Sequence, residues 1–413
     1  MKILHTSDWH LGRSLYGRKR YDEFEKFLGW LAQVVAEQKI DVLLVSGDIF
    51  DTSTPSNKAQ RLYYEFLCKV GQTVCRHVVI VGGNHDSPTF LNAPRELLQA
   101  LNVHVVGSKT EKIKDEVLEL RDSQGNPEAI VGAVSYLRDR DIRTSEIGES
   151  FEDKNAKLIE GLRQHYADVY QLASQKRQEF FAKSGRLIPF IATGHLFTDG
   201  GKVVKNDGVR ELYVGTLVHI KQDLFPEEID YLALGHLHVP QKVGSKEHFR
   251  YSGSPLPMGF NESNQQKIVL VVEFAENKPE VSKLKVPVFQ ELMQISGNSE
   301  QIVDEISKLK KAGSKAWLEI EFTGKDSSKY LRGELEKAIE DTELEILKIQ
   351  NRAREEKFLQ QAGEVKTLKD LNVFQVFQKK LDNEDLEEQE RKELSLCYRE
   401  IVQEIHESDT NAE

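Results

Sequence analysis

The sequence predicts a layered α/β fold followed by a smaller domain and a helical tail. Three observations predict it. Short buried runs rich in Val, Ile and Leu alternate with amphipathic stretches, five polar clusters each follow one of those runs, and past about residue 275 the clusters stop while the alternation resumes. A chain of 413 residues is longer than a single hydrophobic core serves, so two or three domains are expected.

Lys2–His5, Val42–Ser46 and Val78–Gly82 read as buried strands stopped by polar residues or Gly. Between the first two, Tyr21–Gln38 places Phe24, Phe27, Leu28, Leu31, Val34 and Val35 at helical spacing, which suits a helix with one face on a sheet. Val117–Arg121 and Ala129–Val134 flank the turn-forming Ser123-Gln-Gly-Asn-Pro127 and predict a hairpin. Phe151–Lys183 predicts a long surface helix, and Ile188–Thr193 and Ile229–Leu234 supply two more strands. The hairpin and long helix read as an insertion over about 108–187 in a first domain of residues 1–275.

A new unit starts near Asn277-Lys-Pro279, with strand material in Val281–Ile295. Ser299–Lys311 is a helix with Asn298 and Gln301 placed as a capping box, Lys315–Phe322 alternates as a strand, and helix Tyr330–Ile339 and strand Leu344–Ile349 follow. These make a small β-α-β-α-β cap over residues 276–350. Residues 351–413 read as a polar linker and a C-terminal helical pair, Leu368–Leu381 and Leu386–His406, each with one apolar stripe. Two such helices cannot bury both stripes by themselves, so they either fold back on the cap or dock on another protein, docking into a partner's groove being the sharper expectation.

Composition is that of an ordinary soluble globular protein, with 39% hydrophobic and 30% charged residues. Met1 is followed at once by a strand-like run, and no stretch approaches the roughly 20 apolar residues of a membrane helix, so a cytoplasmic protein without membrane contact is expected. Cys68, Cys75 and Cys397 are scattered and exclude a cysteine-rich zinc site. The net charge of −11 excludes nucleic-acid binding by overall electrostatics, although Arg13 and Arg18-Lys19-Arg20 form a local basic run.

The chemistry concentrates in Asp8-Trp9-His10, Gly47-Asp48-Ile49-Phe50-Asp51, Gly83-Asn84-His85-Asp86, Gly194-His195 and Gly235-His236-Leu237-His238. Ligands collect outside the carboxyl ends of strands in layered α/β sheets, so five strand ends aim at one site. Pairs separated by one residue, Asp8 with His10 and His236 with His238, project to one side in extended backbone and can serve adjacent metals. The preceding glycines permit sharp turns and close backbone approach.

This ordered set resembles the calcineurin-like metallophosphoesterase superfamily. Together with Lys2-Ile-Leu-His-Thr-Ser-Asp-Trp-His-Leu-Gly12 and Tyr251-Ser-Gly-Ser-Pro255, it is most similar within that superfamily to bacterial DNA nuclease subunits. The resemblance implies a metallophosphoesterase fold of two central β-sheets flanked by helices. It implies two divalent ions, most in keeping with Mn2+, one held by Asp8, His10, Asp48 and His238 and the other by Asp48, Asn84, His195 and His236. His85 would be a catalytic non-ligand that contacts the phosphate or protonates the leaving oxygen, and Asp51 would orient it. Ser252-Gly-Ser-Pro255 is open between a phosphate-binding backbone and a simple turn.

By the same resemblance the chain is an exonuclease on duplex ends and an endonuclease on hairpins, acting in recombination, repair and replication with an ABC-type coiled-coil ATPase docked on the Leu368–His406 helices. No phosphate-binding Gly-x-x-x-x-Gly-Lys-Ser/Thr loop occurs in the chain, which leaves ATP to that partner. Arg13, Arg18 and Lys19 become candidate DNA contacts. Helices 58–70 and 90–101 become a candidate homodimer interface with Leu62, Phe66, Leu97 and Leu101 as its residues, ordinary core packing being the competing account. The competing enzyme class is a phosphatase or cyclic-nucleotide phosphodiesterase with the same dinuclear site.

Overall fold

The computed structural model describes residues 1–143, 149–198, 201, 224–275, 278–324, 328–351, 374, 377–378, 381 and 388–407. Two six-stranded sheets stack face to face, each covered on its outer side by helices.

The first sheet is built from β1 (Lys2–Thr6), β4 (Val42–Ser46), β5 (His77–Val81) and β6 (Val103–Val106), which run parallel. It is extended antiparallel by β13 (Ile268–Ala275) and β14 (Lys278–Lys285), in the order β14-β13-β1-β4-β5-β6. A small hairpin, β2 (Ser14–Leu15) with β3 (Arg18–Lys19), follows β1. Helices α1 (Tyr21–Glu37) and α2 (Asn57–Gly71) cover the outer face and bury the Phe24, Phe27 and Leu31 stripe that the spacing predicts. The shorter α3 (Pro88–Asn92) and α4 (Arg95–Gln99) lead to β6.

The second sheet has the order β11-β12-β10-β9-β8-β7, from β7 (Val117–Arg121), β8 (Pro127–Gly132), β9 (Phe190–His195), β10 (Tyr231–Gly235), β11 (Gln241–Val243) and β12 (Lys246–Tyr251). The hairpin β7–β8 forms as expected, but it is not part of an insertion. β8 pairs in parallel with β9, and α6 (Phe151–Ser184) lays Leu162, Tyr166, Val169 and Tyr170 on the outer face of this sheet. The short α5 (Asp139–Ile142) precedes α6. Without residues 108–187 the second sheet would lose two strands and its helical cover.

Between the sheets, Ile3, Val42, Leu44 and Val79 meet Val131, Ile191 and Ala233 in an apolar seam. Strands buried on both faces explain why these segments read as continuous hydrophobic runs.

The boundary of the second domain also moves. The Lys278-Pro279 stretch, at which a new unit is expected to start, opens β14, whose eight residues pair with β13, so the first body reaches Lys285. Charge and exposure on this edge strand set it apart from the buried strands before it, which gives it the look of a boundary. The small domain is a parallel sheet of β15 (Leu292–Gly297), β16 (Trp317–Phe322) and β17 (Glu345–Asn351), with α7 (Ser299–Lys311) and α8 (Ser328–Ala338) as crossovers. The Asn298 side chain accepts from Gln301 N at 3.0 Å and the Gln301 side chain accepts from Asn298 N at 3.0 Å, closing the expected capping box.

Trp317 sits on the face of β16 opposite Leu318 and Ile320, and it is buried with Leu15, Phe260 and Leu292. That second face is where the small domain meets the hairpin β2–β3.

In the tail, α9 (Glu388–Glu407) matches the second expected helix. The linker and most of the first helix, Leu368–Leu381, lie outside the described residues, although Phe377 stacks on Tyr398 with ring centroids 3.9 Å apart. No described helix is long and apolar enough to cross a membrane.

Candidate metal centre

The five motifs converge because each continues the carboxyl end of a strand. β1 leads to Asp8 and His10, β4 to Asp48, and β5 to Asn84 and His85. From the second sheet, β9 ends on His195 and β10 leads to His236 and His238. All eight side chains are buried.

The local backbone is not the extended form expected for the Asp-x-His and His-x-His pairs. Asp8, His10, Asp48 and His236 have φ of +54°, +49°, +52° and +97°, a region that costs a non-glycine residue about 1–3 kcal/mol. Tight left-handed turns, in place of strand alternation, bring the side chains together. Two glycines are required by contact. A Cβ on Gly47 would fall inside the His195 ring, and one on Gly83 would overlap the Asp48 carboxylate and amide.

Potential ligand atoms of Asp8, His10 and His238 lie within 4.8 Å of one another, and so do those of Asp48, His195 and His236. Asp48 Oδ2 stands 3.3 Å from His195 Nε2 and 3.6 Å from His10 Nε2, at the junction of the two groups. His195 donates Nδ1–H to the Ser46 carbonyl at 2.9 Å, which turns Nε2 toward Asn84 Oδ1 at 3.1 Å and the Asp48 carboxylate. His10 Nε2 and His238 Nε2 face each other at 3.2 Å, and the buried His236 Nε2 has no hydrogen-bond partner among the described residues. Imidazole nitrogens and carboxylate oxygens converging on one another are the donors that cations between them would take, so the residues fit a pair of divalent ions.

The charges of the cluster follow from the same geometry. Burial by itself would raise the Asp48 carboxyl, but His195, His85 and His10 hold it well below the usual carboxylate range. Burial works against protonation of His195, yet the Asp48 charge lifts it to about 9. His236, desolvated and beside His195, is pushed well below the usual imidazole value.

His85 and Asp51 meet by an unexpected route. His85 Nδ1–H donates to the backbone carbonyl of Asp51 at 2.8 Å, while the Asp51 carboxylate turns to Arg13 Nη1 at 3.2 Å and His10 Nδ1 at 3.4 Å. His85 is therefore oriented by the main chain of residue 51, and the carboxylate backs His10. The His85 amide donates to Asp48 Oδ1 at 2.9 Å, which ties the two loops together.

Asp86 closes the third motif, yet its spacing suggested no role. Its buried carboxylate accepts from the amides of Gly83 (2.8 Å), Ile49 (3.1 Å) and Phe50 (2.9 Å), locking the Asp48 loop to the Asn84–His85 loop. The buried Arg138 donates to the Asp86 carbonyl at 3.0 Å from the far side.

Ser252-Gly-Ser-Pro255 holds ligand loops. Ser252 Oγ is 2.8 Å from Ser7 Oγ, which donates to Asp8 Oδ2 at 2.5 Å, and Ser254 N donates to the His238 carbonyl at 3.2 Å.

The basic run divides. Arg20 is buried against Glu23 and the Pro257 carbonyl, Arg18 pairs with Glu345 of the small domain at 2.8 Å, and Lys19 is exposed. Of the four expected interface residues, Leu62 and Phe66 are core, 4% and 1% exposed, and only Leu97 and Leu101 are open, 71% and 55%. Leu62 and Phe66 occupy the α2 face turned to the sheet, so a homodimer surface on these helices cannot use them.

Fold and site together define a metallophosphoesterase. A family model described as calcineurin-like phosphoesterase matches residues 1–240, and an SbcD C-terminal model, described as the Type 5 capsule protein repressor C-terminal domain, matches residues 288–385. The SbcD subunit of the nuclease SbcCD from Escherichia coli (strain K12) is 35% identical over 405 residues, covering 96% of this chain and 97% of that protein. The corresponding nuclease subunits from Bacillus subtilis (33% identical, 66% of each chain) and Rhodobacter capsulatus (34%, 67% of each) are also similar. The chain belongs to the calcineurin-like phosphoesterase family and, within it, to the SbcD family of nuclease subunits.

Proposed function

We propose that the chain is the metal-dependent DNA nuclease subunit of an SbcCD-type complex, hydrolysing phosphodiester bonds at duplex ends and in hairpins. The observation that carries the chemistry is the junction at Asp48, where carboxylates and the amide of one sheet meet imidazoles of the other. Asp8, His10, Asp48 and His238 would hold one divalent ion, and Asp48, Asn84, His195 and His236 the other, with Mn2+ in best accord with the mixed oxygen and nitrogen donors. When bound, such a pair supplies a nucleophile at neutral pH and offsets the charge that builds on the phosphate.

The chain's own residues do the rest. With its Nδ1–H committed to the Asp51 carbonyl, His85 presents Nε2 to the phosphate and, when doubly protonated, gives a proton to the leaving oxygen. Burial of the ligands excludes bulk water, which strengthens each charge interaction inside the site. Arg13, held by Asp51, lies beside His10 and is placed to meet a phosphate, whereas Arg18 is committed to the small domain.

The partner would be the complex's ABC-type coiled-coil ATPase, bound by α9 and the Leu368–Leu381 segment, in the cytoplasm and as a homodimer with Leu97 and Leu101 exposed for contact. The chain, purified with its partner and supplied with Mn2+, should cleave linear duplex DNA, and His85→Ser should lower that cleavage sharply with metal content unchanged. Activity confined to a generic phosphomonoester would sink the nuclease reading in favour of a phosphatase. Deleting residues 368–413 should abolish co-purification with the ATPase and leave metal binding intact.

A further inference from the structure

The segment after the last motif contains a charged pair that no ligand pattern uses. Glu262 is wholly buried, and its Oε2 accepts from Lys267 Nζ at 2.5 Å and from Met258 N at 3.0 Å. Lys267, 4% exposed, also donates to Ser254 Oγ at 3.0 Å and to the His238 carbonyl at 3.4 Å. The other oxygen, Glu262 Oε1, has no hydrogen-bond partner among the described residues and lies 3.7 Å from His238 Nδ1. A buried, unpartnered carboxylate oxygen is costly unless something depends on it.

The His238 ring shows what does. Its Nε2 faces His10, on the side where an ion would sit, so Nδ1 is the nitrogen turned toward Glu262. His10 repeats the pattern, with Nε2 toward His238 and Nδ1 3.4 Å from the Asp51 carboxylate. Asp8 is steadied in turn by Ser7 and Ser252. In the other half of the centre, among the described residues, His195 Nδ1 is backed by the neutral carbonyl of Ser46. A carboxylate behind a ligating imidazole fixes the ring and increases its basicity, and loss of such a partner typically weakens metal binding.

We infer that Glu262, kept neutral as a pair by Lys267, is a positioning residue for His238, and that the Asp8–His10–His238 half therefore holds its cation more tightly than the Asp48–Asn84–His195–His236 half. The inference rests on the two-cation reading above. It assigns the segment between β12 and β13 to the metal centre.

The test titrates the metal-stripped full chain with Mn2+, followed by calorimetry and by the electron paramagnetic resonance signal of bound Mn2+. Wild type should bind two ions with unequal affinity. In the charge-balanced variant E262Q/K267M the tighter site should weaken by about 10- to 100-fold while the weaker site keeps its wild-type affinity. Melting of the metal-free proteins checks that the variant folds; if it does not, E262Q with Lys267 retained reads the same two affinities. Two unchanged affinities, or two that fall alike, would overturn the inference. A wild-type chain that binds no Mn2+ overturns the two-cation reading instead.

Discussion

The two stacked sheets contribute different chemistry to one site. From the first come Asp8, His10, Asp48 and Asn84, mostly oxygen donors, three of them on left-handed backbone. From the second come His195, His236 and His238, imidazoles only. Neither sheet has a complete set, so the site exists only where the sheets are docked. The polar bonds across the seam serve both ends. Asp8 Oδ1 accepts from His236 N at 2.9 Å, Ser46 O accepts from His195 Nδ1 at 2.9 Å, and Ser46 Oγ donates to the Ala233 carbonyl at 3.1 Å. The difference teaches that sheet packing and metal binding are one problem here, since each ligand loop is also a point of sheet contact.

The sharpest way to break the division is at its junction. Asp48→Asn keeps the shape but removes the charge shared between the two groups of ligands. Cleavage of duplex DNA in Mn2+ should fall by more than about 100-fold, because even outer-shell changes at metal sites cost 10- to 100-fold. Metal counting should show that fewer than two ions remain. A variant with full activity and two bound ions would show that Asp48 does not join the halves.

A smaller effect is expected from crowding the seam. Gly47→Ala adds a methyl where the His195 ring lies, on backbone at φ +88°, and should lower unfolding free energy by about 3 kcal/mol or more. Gly17 has φ +85° with nothing within 4 Å of an added Cβ, so Gly17→Ala should cost only the backbone strain, about 1–2 kcal/mol. Urea midpoints of the metal-free proteins measure both. Equal losses would mean that close approach of the sheets is not what Gly47 permits.

The motif-bearing strands were legible in both sheets, β1, β4 and β5 in the first and β9 and β10 in the second, while β6, β11, β12 and β13 carry none of the five motifs to announce them. β1, β4 and β5 follow one another with one covering helix between each pair, so period and length announce both strands and site, and Asp8, Asp48 and His85 stand at the ends of obvious runs. In the second sheet a 34-residue helix separates β8 from β9, and the pairing of those strands leaves no local trace. That is why an integral half looked like an insertion. Other misreadings have their own physics. Leu62 and Phe66 are apolar on an amphipathic helix whichever way it faces, and the positive φ of Asp8, His10 and Asp48 has no glycine to announce it. Glu262 lies in Asn261-Glu-Ser263, polar residues that resemble any loop, and only the fold places it beside His238. Asp86 could have been weighed, since an acid three residues after Gly83 in a tight turn commonly accepts backbone amides.

The smallest expected effect sharpens the comparison from inside the seam. His5 on β1 is fully buried and its Nδ1 lies 2.8 Å from Tyr231 Oη on β10, a direct polar link between the sheets. Burial pushes its imidazole down to about 3, against 6.5 for an exposed ring. Above pH 6.5 neither folded nor unfolded chain protonates here and His5 leaves stability unaffected by pH. Below that, the unfolded chain takes up a proton that the folded chain refuses, so stability falls as pH falls, by at most about 1.4 kcal/mol per unit until the folded value is reached. His104, buried and lowered to about 4, contributes with the same sign, but it is present in any His5 variant and cancels in the difference. His5→Gln cannot titrate, so urea midpoints of the metal-free variant between pH 5.5 and 4.5 should show a shallower decline than wild type, by close to one proton's worth. Equal slopes would place the acid sensitivity of the protein elsewhere than at the seam between its sheets.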